Sequence, residues 1–396
     1  MNKKRMFGLL GIILLIVSIG TYFVSKHKLE TDRETMQSTT TSTSSDFSTI
    51  DSSSTTETSV EEMDKIKEKV NEMTLEEKVG QLFFVRVPEE NAVSDIKTYH
   101  LGGYVLFGRD VENETKESLQ EKIKTFQEVS ELPLLIGADE EGGTVSRISS
   151  NPALSAQPFL SPQELYASGG FEAIEKDTQQ KATLLRELGI HTGLFPVADV
   201  STDSNSFIYS RTIGLDAKQT SRYVEQVVTT LKNNHSGSTL KHFPGYGNNR
   251  DSHVEIVTDD RSLEELKTND FLPFEAGIKA GADSILVSHN IITSIDETQP
   301  ASISPAIHDL LRQELQFNGV IMTDDMDMAG LADFISQEEA GLKALQAGND
   351  LVMSSSYQTQ IPFVIQAVQT GDYEEKSLND SVYRVLKWKE QLGLFD

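Results

Sequence analysis

Eight short apolar runs separated by longer stretches of helical periodicity constrain the fold of this chain more than any other feature. They are LFFVRV (82–87), GYVLF (103–107), PLLIGAD (133–139), LFPVADV (194–200), STLKHF (238–243), SILVSHN (284–290), GVIMTDD (319–325) and DLVMSS (350–355). Such runs lack the in–out alternation of a half-solvated sheet and read as strands buried on both faces, the mark of a parallel sheet covered by helices. Helical patterns occupy 115–129, 172–189, 217–233, 263–280, 304–315 and 335–347. Eight is the strand number that closes a (β/α)8 barrel. Most runs end in polar residues: Asp139, Asp199, Lys241-His242, Ser288-His289 and Asp324-Asp325. A barrel gathers those ends at one mouth; an open doubly wound sheet would carry a Gly-rich phosphate loop after its first strand, and none is present. The expected fold is therefore α/β, a (β/α)8 TIM barrel forming a single catalytic domain over 60–396.

That domain begins where Val60, Met63, Ile66, Val70 and Met73 recur at helical spacing. Thr74-Leu-Glu-Glu77 then has the form of a capping box ahead of Val79 and Leu82. A last helix through Leu378, Val382, Val385 and Leu386, with Trp388 nearby, is expected to close against the first. Ahead of the domain, residues 1–28 set Lys3, Lys4 and Arg5 before an uncharged apolar run from Met6 to Val24. A helix of that length spans roughly 29 Å, about a bilayer core, and is read as an uncleaved signal anchor and transmembrane helix, with secretion after signal cleavage as the alternative. The leading lysines and arginine favour a cytoplasmic N-terminus, which puts the rest of the chain outside. Residues 29–59 form a Ser/Thr-rich tract too poor in apolar surface to fold, and are read as a disordered linker.

Charge and cysteine content remove several classes of function. Lys and Arg number 35 against 61 Asp and Glu, a net charge of −26, which repels nucleic acid. With no cysteine there is no disulfide framework, thiolate metal site or cysteine nucleophile. No cofactor is expected, and no metal: His242 and His253 lack the companion ligands of a metal site.

Three segments carry chemistry. GVIMTDDMDMAG (319–330) ends a buried strand in Asp324 and Asp325; alternation turns only one of them to the barrel axis, so one is a catalytic candidate against a capping or metal-ligand role. Asp327 reads as a solvated or capping residue. ADEEGGTVSRI (138–148) offers Asp139 and Arg147, suited to vicinal hydroxyls or an anion, or else to a salt bridge that holds the loop. Arg211 in SRTIG is a weaker signal. LKHFPGYGNNRDSHVEIV (240–257) follows Lys241-His242 with a Gly-rich run and then Asp251 and His253, two apart, so that the carboxylate can orient the imidazole as general acid or base.

Together KHFPGYG…DSH, GVIMTDDMDMAG, DEEGGTVSR, HLGGYVLFGR (100–109) and PASISP…LRQELQFNGV (300–320) resemble the family 3 glycoside hydrolases, and within them the single-domain β-N-acetylglucosaminidases. The likeness runs in order from about Met73 to Phe395. It implies a retaining mechanism on the barrel, with Asp324 as nucleophile and His253, assisted by Asp251, as acid and base. It also implies that Asp139, Arg147, Arg211, Lys241 and His242 hold the sugar hydroxyls and N-acetyl group. Most retaining glycosidases use two carboxylates. The resemblance implies that here a His–Asp pair on a mobile loop replaces the second, a loop able to close over substrate. The chain departs from better-known members at Tyr246, where those have histidine; at Thr144, where many have arginine; and in having three residues, not four, between Gly247 and the DSH motif.

The resemblance thus implies an exo-acting β-N-acetylglucosaminidase with a monomeric catalytic domain, acting on terminal GlcNAc of muropeptides, other peptidoglycan fragments or chitooligosaccharides. The anchor and stalk suggest a single-pass protein of a Gram-positive-type envelope with an extracellular domain. A β-glucosidase or a GlcNAc phosphorylase keeps the fold and changes the substrate or acceptor. A non-catalytic cell-surface sugar-binding protein would be expected to have lost Asp324, Asp251 or His253, and all three are present.

Overall fold

The computed structural model describes residues 64–250 and 255–395. The segments expected to be anchor (1–28) and linker (29–59), and the residues Asp251 and His253, lie outside the described residues. Among the described residues no helix is long and apolar enough to cross a membrane.

Seven of the eight apolar runs contain a regular strand: β1 (Phe83–Arg86), β2 (Gly103–Leu106), β3 (Leu135–Ala138), β4 (Thr239–Phe243), β5 (Ser284–Val287), β6 (Val320–Thr323) and β7 (Val352–Ser354). They pair in parallel as β7-β1-β2-β3 and β4-β5-β6. Single parallel bridges join the two sheets into a ring, from Gly137 through Thr192 to Gly237 on one side and from Met322 to Leu351 on the other. The barrel expected from the sequence is therefore present, with one correction. The run at 194–200 fills the fourth position without becoming a regular strand. Leu194 has φ +48° and Pro196 has no N–H to give, so the ladder is broken there. The segment is still held on both sides: Ala138 N donates to Thr192 O (3.1 Å), Thr239 N to Phe195 O (3.0 Å) and Ala198 N to Lys241 O (2.6 Å).

Alternation along β1 separates the interior of the barrel from the layer beneath the helices. The Phe84 ring occupies the space that a Cβ would need at Gly103 on β2 and Gly137 on β3, 2.8 and 2.6 Å away. Phe83 instead meets Gly341 in the helix Gln337–Ala347. One large ring opposite two glycines on the neighbouring strands fills the interior at the layer below Asp139.

The expected helices form with one shift, and others, among them Ala92–Tyr99 and Tyr357–Thr370, are not marked by periodicity. Thr74 and Glu77 form the reciprocal capping box (Thr74 N to Glu77 Oε2, 2.6 Å), and the helix Lys65–Glu72 buries Ile66 and Val70. The helix expected at 172–189 begins earlier, as Pro162–Glu187. A Ser161/Glu164 capping box starts it, and non-helical Gly169–Gly170 hides its first part from a periodicity reading. The helix Tyr357–Thr370 escapes such a reading because it carries Pro362 internally. Asp327 is a capping residue: it accepts from Ser354 Oγ (2.8 Å) and Ser355 N at the entry to that helix.

The closing helix, Glu375–Gln391, packs against Lys65–Glu72 and Leu75–Gln81 as expected. It also buries Lys389 completely, with Nζ donating to Gln81 Oε1 at 2.7 Å. Burial pushes the Lys389 ammonium down to about 7. The unfolded chain therefore binds more protons than the folded one between pH 7 and about 10, and this residue's contribution to stability rises with pH across that window. In denaturant titrations, the stability of the wild type relative to Lys389→Met is expected to increase by about 1 kcal/mol per pH unit from pH 7 to 9.5. A difference that stays constant with pH would show that Lys389 remains charged in the fold.

Candidate active site

The C-terminal ends of the strands supply the polar groups, as the barrel requires. β3 delivers Asp139, and the chain then doubles back through the antiparallel pair Glu140–Gly142 and Val145–Ser146 to bring Arg147 N onto Asp139 O (2.9 Å). Glu140 fixes this turn from below: fully buried, it accepts from Ile148 N (2.7 Å) and Ser149 N (3.2 Å). The salt bridge weighed between Asp139 and Arg147 is long, 3.8 Å, and the close partner of Asp139 is Lys241 on β4, at 2.7 Å.

Glu141 stands at the centre of the cluster. Its carboxylate takes Lys241 Nζ at 2.6 Å and a two-point contact from Arg211, with Nε at 2.9 Å and Nη2 at 2.7 Å. Burial alone would raise the Glu141 carboxyl, but the Arg211 and Lys241 charges hold it well below the usual range. Burial likewise works to lower Lys241, and the Asp139 and Glu141 carboxylates hold it above its ordinary value. Two cations and two carboxylates thus neutralise one another, and the side chains of Asp139 and Arg211 are the more open of the four, at 19% and 14% exposure.

His242 is joined to this group by Arg211 Nη2, 3.0 Å from its Nε2. A guanidinium can only donate, so Nε2 accepts, and Nδ1 carries the proton toward Asp199 Oδ2 at 2.8 Å. Burial lowers the imidazole from its ordinary value, in keeping with this neutral tautomer. Asp199 also accepts the backbone N–H groups of His242 (3.0 Å) and Tyr246 (2.7 Å).

On the other side of the mouth, β6 ends in Asp324 and Asp325. Asp325 N donates to Asp324 Oδ1 at 2.8 Å, while the buried Asp325 side chain pairs with Arg86 from the end of β1. Burial pushes the Asp325 carboxyl up to about 6 even against the Arg86 charge. Arg86 lies 4.3 Å from the centroid of the Phe107 ring, and Arg147 lies 5.7 Å from the same centroid. Contacts therefore run without a break from Asp324 through Asp325, Arg86, Phe107 and Arg147 to Asp139 and the buried cluster. The structure unites Asp139, Arg147, Arg211, Lys241 and His242 in this way and sets Asp324 on the same rim.

Sequence reasoning missed Glu141, Asp199 and Arg86. Each left a trace: Glu141 within the DEEGG motif, Asp199 at the polar end of the fourth run, and Arg86 as the single charge in the first. Among the described residues one His–carboxylate group reaches metal-ligand spacing, Glu77, His100 and Glu131. These residues precede β1, β2 and β3 and so lie at the opposite end of the barrel.

The comparisons with known proteins identify the family of the barrel. The family model described as "Glycosyl hydrolase family 3 N terminal domain" matches residues 74–388. The chain belongs to glycosyl hydrolase family 3. It is similar to a beta-hexosaminidase of Tolumonas auensis, 32% identical over 275 residues, covering 68% of this chain and 80% of the relative. It is also similar to beta-hexosaminidase A of Pseudoalteromonas piscicida, 28% identical over 325 residues and covering 75% of this chain; it spans only about half of that relative, 54%. The solved structure of a family 3 beta-N-acetylglucosaminidase from Paenibacillus sp. FPU-7 superposes with a TM-score of 0.77 at 27% identity, covering 82% of this chain and 64% of that one.

Removing the charge at the centre of the cluster should be costly. Glu141→Gln leaves Arg211 without its anionic partner and Lys241 with one carboxylate, and is expected to destabilise the protein by about 3–5 kcal/mol. Chemical denaturation checks this; a loss below about 1 kcal/mol would mean that water already screens the cluster.

Proposed function

We propose that this protein is a retaining exo-β-N-acetylglucosaminidase that removes terminal, non-reducing GlcNAc from peptidoglycan fragments or chitooligosaccharides. One observation carries the reading: a buried, charge-balanced cradle and the aspartate expected to be the nucleophile share the C-terminal rim of a family 3 barrel. The names of the relatives support the GlcNAc specificity.

In this reading a carboxylate oxygen of Asp324 attacks the anomeric carbon as the bond to the leaving oxygen breaks. His253, oriented by Asp251, gives that oxygen a proton. The resulting glycosyl-aspartate ester is opened by water, whose proton returns to His253. Asp139 and Lys241 offer an acceptor and a donor to sugar hydroxyls. Arg211, fixed by Glu141 and by neutral His242, which Asp199 orients, presents a guanidinium that need not move during the reaction. The chain works outside the membrane, tethered by 1–28 and held off the surface by 29–59, where wall glycan is the nearest source of GlcNAc.

Asp324→Asn is expected to lower kcat for p-nitrophenyl β-GlcNAc by roughly four orders of magnitude or more while the protein stays folded. A 5-fluoro-GlcNAc donor should add one sugar mass to the wild type, and peptide mapping should place it within 319–330. Faster cleavage of the glucoside than of the GlcNAc glycoside would replace this reading with a β-glucosidase. Formation of GlcNAc-1-phosphate, with turnover dependent on phosphate, would replace it with a phosphorylase.

A further inference from the structure

Along the chain, the proposed acid–base pair Asp251 and His253 lies between two points held by one cation. Arg261 places Nε 3.0 Å from both carboxylate oxygens of Asp259, Nη1 2.7 Å from Asp270 Oδ1, and Nη2 2.7 Å from the carbonyl of Gly245. Both carboxylates are buried, and the Arg261 side chain is 17% exposed. Each carboxylate belongs to a fixed element. Asp259 sits in the two-residue strand Thr258–Asp259, which pairs in parallel with Ile291–Ile292 just beyond β5. Asp270 immediately precedes the helix Phe271–Ala280. Burial would lower the guanidinium, but the two carboxylates hold it above its ordinary value, so the clasp stays charged.

The turn after β4 rests directly on this clasp. Gly245 (φ +110°) has Asp270 Oδ1 2.8 Å from where a Cβ would be, and Gly247 (φ +56°) has Arg261 Nη1 2.4 Å from the same position. Both glycines are needed, for their backbone angles and because the clasp fills their side-chain space. Between them Tyr246 gives its N–H to Asp199, the partner of His242. The same guanidinium therefore fixes the turn before the 248–257 segment, the strand after it, and the backbone that supports His242.

We propose that Arg261 is a positioning residue for the acid–base half of the reaction, fastening both ends of the segment that carries Asp251 and His253. Fixing the ends of a loop removes much of the entropy its catalytic groups would otherwise lose on reaching the substrate. The proposal rests on the hydrolase reading above, and leaving-group dependence tests it separately. A 2,4-dinitrophenyl β-GlcNAc departs with little help from an acid, whereas the sugar aglycone of chitobiose needs a proton. General acid catalysis contributes about 10²–10⁴-fold. Arg261→Gln is therefore expected to lower kcat/KM for chitobiose by at least about tenfold more than for the dinitrophenyl glycoside. Gly247→Ala retains all three charges and displaces the guanidinium, and should show the same split to a smaller degree; it decides the matter if Arg261→Gln does not fold. Equal losses on both substrates, or none, would reduce Arg261 to a structural ion pair and overturn the proposal. A wild-type protein that cleaves neither substrate would refute the hydrolase reading instead.

Discussion

Four charges set almost out of reach of water, on Asp139, Glu141, Lys241 and Arg211, impose the strictest condition on this molecule. Each ion costs several kcal/mol to remove from solvent, and their mutual attraction offsets this only when every contact is well formed. The four come from three places: the turn after β3, the loop after the irregular fourth segment, and β4. Their distances of 2.6–2.9 Å therefore require those segments to stay in fixed register. The bridges Gly137–Thr192–Gly237 and Val197–Lys241 supply that register where a regular strand is missing. Barrel closure and the cradle depend on each other at this point.

The opposite side of the mouth is joined to the first by a longer route. Arg86 leaves the end of β1, passes the neighbouring β7 position in the ring, and pairs with Asp325 at the end of β6. Phe107, from the end of the second run, fills the space between Arg86 and Arg147. Asp325 holds the turn with both parts: its side chain takes Arg86 and Asp327 N (3.0 Å), while its own N–H meets Asp324 and its carbonyl lies 3.0 Å from His289 Nε2. The second aspartate of the TDD motif thus organises the turn that presents the first.

How much of this the sequence disclosed follows from where each piece of information resides. The barrel was legible because burial on both faces leaves an uninterrupted apolar run, and because catalytic strand ends are polar. The capping box at Thr74–Glu77 was legible because its partners are three residues apart. The break in the fourth segment left only Pro196 as a signal, easily lost inside an apolar run. Asp139 and Lys241, 102 residues apart, could be named as site residues, yet their contact belongs to the folded state. Glu141, Asp199, Arg86 and Arg261 serve mostly by balancing or holding other groups. A residue whose purpose is to hold a partner announces itself only once the partner is in place.

Tyr246 illustrates the same distinction between side chain and backbone. Histidine is expected there from the resemblance, and a tyrosine at the edge of the sugar site would suggest altered chemistry if its side chain did the essential work. One support that reaches His242 from this position is the Tyr246 N–H on Asp199. That N–H is aimed by the turn, and the turn is held by Arg261 through Gly245. The ring packs edge-on to Phe207 at 5.0 Å and tilted against His242 at 4.9 Å, filling volume beside the imidazole. The hydrogen bond to Asp199 comes from the backbone and depends on the path of the turn, which Gly245 and Gly247 permit with their positive φ angles. What the turn provides is a direction of the chain, and the contact of Arg261 on the Gly245 carbonyl holds it.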